Sequence, residues 1–138
     1  MEPLDTMVLL KNKQLKKTAV RSDLLAILSE KKAPCDAMEL LIKLRKKYGR
    51  LNKTTVYRQL QTLTYKKILK TIELGEGKKR YELKTDHHHH LICRKCKNIE
   101  DVRLKNDLSR EESIITDKYR FRVIEHSLEF FGICRNCS

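Results

Sequence analysis

Apolar side chains recur with two different periods along this chain, and the change of period organises it. Leu24, Leu25, Ile27 and Leu28 line one face of a helix that ends near Lys31 and Lys32. Asp36-Ala-Met-Glu39 has the spacing of a capping box. It opens a second helix with Met38, Leu40, Leu41 and Leu44 as apolar positions and Gly49 as its stop. Asn52 is placed to cap a third helix, in which Val56, Leu60 and Leu63 follow at i, i+4 and i+7. Beyond it the pattern turns strand-like. Residues 68–74 and 78–83 flank Gly75-Glu-Gly77 and predict a hairpin. Three helices followed by a two-stranded wing is the order of a winged helix-turn-helix.

Residues 84–87 carry few apolar side chains and read as a linker. After them Leu91-Ile-Cys93 and the run 121–134 look like strands, and Leu108, Ile114 and Ile115 suggest a helix between them. The expected fold class is therefore α+β: an N-terminal winged helix-turn-helix over residues 1–84 and a small α/β unit over 85–138. A chain of 138 residues excludes barrels and full dinucleotide folds. No apolar run is long enough to span a bilayer, and Met1-Glu-Pro-Leu-Asp5 lacks the order of a secretory signal. The expectation is a soluble cytoplasmic protein with no membrane partner.

Charge sharpens this division. The formal net charge is +13; residues 1–85 hold 21 Lys and Arg against 9 Asp and Glu, whereas residues 86–138 hold 10 against 9. A basic front beside a near-neutral back points to a polyanion at one end only. If Val56, Leu60 and Leu63 face a core, Lys53, Thr54, Thr55, Tyr57, Arg58 and Gln61 lie on the open side of the third helix. Arg can fork onto guanine, Gln onto adenine, and hydroxyls reach phosphates. Lys78, Lys79 and Arg80 on the wing suit backbone contacts. A charge run alone is more often a solvated face. Helix order, wing and charge together favour double-stranded DNA, and the chain shows no aromatic platform for single strands.

Cysteine and histidine are skewed the other way: four of five Cys and all five His follow residue 86. Cys93-Arg-Lys-Cys96 and Cys134-Arg-Asn-Cys137 are two C-x-x-C knuckles that together offer four thiolates, the usual structural zinc set. Disulfides or a redox C-x-x-C are the competing readings, and an intracellular chain disfavours the former. Cys35 stands apart as a small residue near a helix start. The run His87 to His90, read as a strand, alternates: His87 and His89 to one face, His88 and His90 to the other. That predicts two metal clusters back to back, with His126 free to join the first and Glu82 and Asp101 the second. Neither H-E-x-x-H nor H-x-E with Pro-Cys-x-x-Cys is present, so no catalytic residues are expected.

Thr54-Thr-Val-Tyr-Arg58, His87-His-His-His-Leu-Ile-Cys-x-x-Cys96 and His126-Ser-Leu-x-x-x-Gly-x-Cys-x-x-Cys137 together resemble the ferric uptake regulator family of bacterial metal-sensing repressors. The resemblance covers residues 15–137. It implies a homodimer with a winged-helix DNA-binding domain and an α/β dimerisation domain, acting as a metal-dependent repressor at a palindromic operator. It assigns Cys93, Cys96, Cys134 and Cys137 to structural zinc, and His87, His89 and His126 to a sensing site. Glu82, His88, His90 and Asp101 match a second, inter-domain site, and Tyr57 and Arg58 the DNA-contacting pair. Two positions depart from the family pattern. Ser109 stands where a helix glutamate is usual, leaving Asp107, Glu111, Glu112 or water as a fourth ligand. Pro34 stands where the second site usually takes a histidine. His89 replaces the carboxylate of iron-sensing members and makes the run similar to the zinc sensors, since imidazole suits Zn²⁺ or Ni²⁺ better than Fe²⁺ or Mn²⁺. Iron, nickel, manganese and peroxide sensing remain alternatives, as does a constitutive DNA-binding module merely stabilised by zinc.

Overall fold

The computed structural model describes residues 6–31, 33–75, 77–84 and 88–138. The chain falls into two compact units, Met1–Lys84 and Thr85–Ser138. In the first, four helices precede a hairpin: α1 Thr6–Asn12, α2 Ala19–Glu30, α3 Ala37–Tyr48 and α4 Lys53–Tyr65, then β1 Leu69–Gly75 and β2 Lys78–Leu83. Their apolar stripes meet in one core that includes Leu24, Leu25, Leu40, Leu41, Leu44, Val56, Leu60 and Leu63. Such burial stabilises the fold by about 1.5–3 kcal/mol per large side chain. Asp36 caps α3 by accepting the Glu39 N–H at 2.8 Å, and Gly49 ends it at a positive φ of 63°. Only a residue without Cβ adopts that turn at no steric cost.

Three expectations for this unit are corrected. Helix α1 carries Leu10 into the core, although its polar flanks gave no clear period. Met38 is 46% exposed, and Ala37 takes the inward position one residue earlier. Asn52 occupies the N-cap of α4 without a side-chain cap bond; its carbonyl instead receives the Thr55 N–H at 3.0 Å. The hairpin pairs antiparallel with Leu69 opposite Leu83 and Glu73 opposite Lys79. Cys35 adds an isolated bridge to Tyr81 through both backbone bonds, at 2.9 and 2.7 Å, so its thiol is sealed beneath the wing.

The second unit holds β3 His89–Cys93, β4 Ile99–Val102, α5 Ser109–Tyr119 and β5 Glu129–Gly132. The sheet order is β4-β3-β5, with β3–β4 antiparallel and β3–β5 parallel. A parallel neighbour needs a crossover, and the segment containing α5 supplies it. Here too the expectations shift. Strand β4 went unread because Ile99-Glu-Asp-Val102 has only two apolar residues. The predicted run 121–134 shrinks to four strand residues, since Phe121 and Ile124 are 62% and 72% exposed and find no layer to pack against. Leu108 is the left-handed residue before α5 and not part of it. Only His89 and His90 of the histidine run are strand residues. His87, and the linker beyond Lys84, lie outside the described residues. Among the described residues no helix is long and apolar enough to cross a membrane.

Candidate metal centres and nucleic-acid face

The two cysteine knuckles come together. Cys93 ends β3, Cys96 follows in the turn to β4, and Cys134 and Cys137 follow β5, the parallel neighbour of β3. That pairing places Cys93 opposite Gly132 and brings residues 41 positions apart into one cluster. The four sulfurs lie within 4.8 Å of one another, and Cys96 Sγ is 3.7 Å from Cys134 Sγ. Sulfurs about 2.3 Å from one ion in a tetrahedron stand about 3.8 Å apart, so the donor set fits zinc. All four are free thiols, and 3.7 Å is far beyond a disulfide bond of about 2.05 Å.

Electrostatics supports the same assignment. The backbone N–H groups of Cys96 and Cys134 point at Cys93 Sγ, at 3.5 and 3.4 Å, and hold its thiol pKa down at about 6. Cys137 is pushed the other way, to about 12, by its side-chain contact with Cys134 and by burial. One thiolate forms readily and the last resists, as crowding of like charges requires. A dication would neutralise that repulsion.

The histidines separate by face as strand geometry demands. His90 pairs with Asp101 across β3–β4, and His88 lies two residues earlier on the same side. Their Nε2 atoms each stand 3.7 Å from Asp101 Oδ1, with the two rings edge to face at 4.8 Å. Glu82 sits half-buried on β2 of the first unit, opposite Lys70. On the other face His89, 2% exposed, has its ring 5.7 Å from that of His126. His126 Nδ1 in turn meets Glu112 Oε1 at 2.5 Å. Pro34 is buried just before α3 and offers no ligand atom.

In the first unit, Lys53, Thr54, Tyr57, Arg58 and Gln61 all open to solvent on one side of α4, and Thr55 is half-buried. Lys53 Nζ lies 5.5 Å above the Tyr57 ring, a cation–π pair that groups charge with hydroxyl. Arg21, which sequence reasoning passed over, binds Gln59 Oε1 on α4 at 2.8 Å and the Lys16 carbonyl at 2.8 Å. It ties the basic segment before α2 to the side of this helix. The signal available was an Arg three residues past Thr18, which caps α2.

A winged helix-turn-helix followed by a Cys- and His-rich α/β unit defines a class, the metal-responsive transcriptional regulators. The chain belongs to the ferric uptake regulator family, which it matches over residues 12–131. It is 33% identical over 107 residues to the ferric uptake regulation protein of Bacillus subtilis, 74% of this chain and 70% of that protein. It is 28% identical over 137 residues to the peroxide operon regulator of the same organism, covering 99% and 92%. The solved ferric uptake regulator of Vibrio cholerae superposes with a TM-score of 0.76 at 30% identity, over 94% of this chain and 100% of that one. Proteins of this family are metal-dependent transcriptional regulators that bind DNA as dimers, and are not enzymes. This chain is accordingly a metal-dependent DNA-binding regulator.

Proposed function

We propose that this chain is a zinc-responsive repressor of metal-homeostasis genes that acts as a homodimer on a palindromic operator. The observation that carries the metal assignment is His89. It is buried beside His126 at a position where an iron sensor would present a carboxylate, so the His87, His89 and His126 set is all imidazole. Nitrogen donors favour Zn²⁺ over Fe²⁺ and Mn²⁺. Cys93, Cys96, Cys134 and Cys137 would hold a structural zinc, which supplies a cross-link between β3 and the chain's end. His88, His90 and Asp101, with Glu82 from the first unit, form the proposed second site.

Each histidine must present a bare nitrogen to a metal, so uptake weakens as pH falls through about 6.5. On the DNA side, Arg58 and Gln61 read base edges while Lys53, Thr54, Thr55 and Tyr57 hold phosphates. Two copies of α4 would enter successive major grooves, which is why a palindrome is expected. Ile114, Ile115, Phe130 and Phe131 are 38–50% exposed in one chain, and a partner copy would cover them.

Titrating operator affinity with Zn²⁺, Ni²⁺, Mn²⁺ and anaerobic Fe²⁺ in parallel, on protein of measured metal content, tests the reading. Zinc is expected to act at the lowest free concentration and to raise affinity roughly 5–150-fold. Replacing His89 and His126 by Ala should abolish that response and leave the dimer folded. Equal affinity with and without zinc would favour a constitutive zinc-stabilised DNA-binding module instead.

A further inference from the structure

Helix α5 is the least anchored element of the second unit: none of its eleven residues is buried. Of the acidic groups near its start, two serve the helix end itself. Asp107 Oδ1 accepts the Ser109 N–H at 3.0 Å, and Glu111 Oε1 accepts from Asn106 Nδ2 at 3.4 Å. Glu112 does neither. It is half-buried and turned toward the sheet, with Oε1 at 2.5 Å from His126 Nδ1, whose ring is 5.7 Å from that of buried His89.

We propose that Glu112 is the carboxylate ligand of the His89–His126 site, and that metal bound there fastens α5 to β3. The proposal rests on the sensing-site reading above and goes beyond it by supplying the missing ligand. Ser109 and Glu112 stand three residues apart and so share a helix face. A carboxylate one turn further along α5 reaches the same place that a glutamate at 109 would. Nitrogen and oxygen at 2.5 Å share a proton; two ligands about 2.0–2.2 Å from one tetrahedral ion stand about 3.3–3.5 Å apart. Under 1 Å of side-chain adjustment separates the two arrangements. With His87 the donor set becomes three imidazoles and one carboxylate, closed around zinc without water.

Hydrogen exchange of the full-length protein reads this site apart from the other two, because neither of those includes an α5 residue. Amides of residues 109–119 should exchange roughly tenfold more slowly when zinc is added beyond the structural equivalent. Glu112→Gln keeps a hydrogen-bond acceptor for His126 but removes the anionic ligand. It should lose that protection and one equivalent of zinc per chain, while the Cys-bound zinc still resists mild chelation. Adding Ser109→Glu to Glu112→Gln should restore both. If Glu112→Gln takes up zinc and protects α5 as the unaltered protein does, Glu112 only orients His126 and the proposal is overturned while the histidine site stands. If the unaltered protein gains neither zinc nor α5 protection, the histidine site falls with it. Loss of the Cys-bound zinc in Glu112→Gln would assign Glu112 a structural role and overturn the proposal as well.

Discussion

Asp23 shows how single residues join helices here. Its carboxylate accepts the Tyr48 hydroxyl and pairs with Lys47 Nζ at 2.9 Å, which links α2 to the end of α3. The Tyr48 bond first, then Lys47, holds its pKa below the ordinary 3.8. A carboxylate depressed in the folded state stabilises above its unfolded pKa, and that stability is lost as pH falls through the lower folded value. Asp23→Asn should therefore cost at most about 1 kcal/mol near neutral pH, given the exposure of the pair. It should also flatten the loss of stability below pH 3.8. Urea titrations of both proteins from pH 2.5 to 7 check this; parallel curves would contradict it. Sequence offered no hint of the contact, because residues 25 apart meet only through helix packing. By contrast, the split of the histidine run into two faces was legible, since alternation follows from strand geometry alone.

At the scale of elements, capping and period carried the first unit. Asp36 accepts the Glu39 N–H and anchors the start of α3, the helix that brings Leu40, Leu41 and Leu44 into the core. Asp36→Ala should cost about 1 kcal/mol, read as a lower urea midpoint with unchanged slope. A shift within error would mean that packing alone sets the helix start. Asn52 shows the limit of the same logic: the right residue at the right position makes no cap bond. The second unit was harder to read because its elements are short. A four-residue strand such as Ile99–Val102 is defined by what it pairs with, here the 89–92 stretch of β3. Its own composition says little. The apolar run 121–128 failed for the converse reason: alternation predicts a strand only where a layer exists to receive it.

For the whole molecule, the Cys cluster is what makes the second unit viable. Its described buried side chains are only Ile92, Cys93, Ile99, His89 and His90, too small a core to offset the conformational entropy of about fifty residues. Chelator strong enough to strip thiolate-bound zinc, or Cys93→Ser with Cys96→Ser, should unfold this unit and dissociate the dimer, leaving the helical signal of the first unit. Far-ultraviolet circular dichroism with sedimentation checks both arms. A folded, zinc-free dimer would remove the structural-zinc assignment.

What the sequence by itself determined was the order of elements in the first unit, the division of charge and the chemistry of the ligands. These follow from local period, capping and donor type, which neighbours in the chain settle. The register of β3 against β5, the 3.7 Å approach of Cys96 and Cys134, and the choice of Glu112 over Asp107 and Glu111 were decided only by the tertiary structure. Each depends on which distant segments share a sheet edge or a helix face, and no spacing along the chain encodes that.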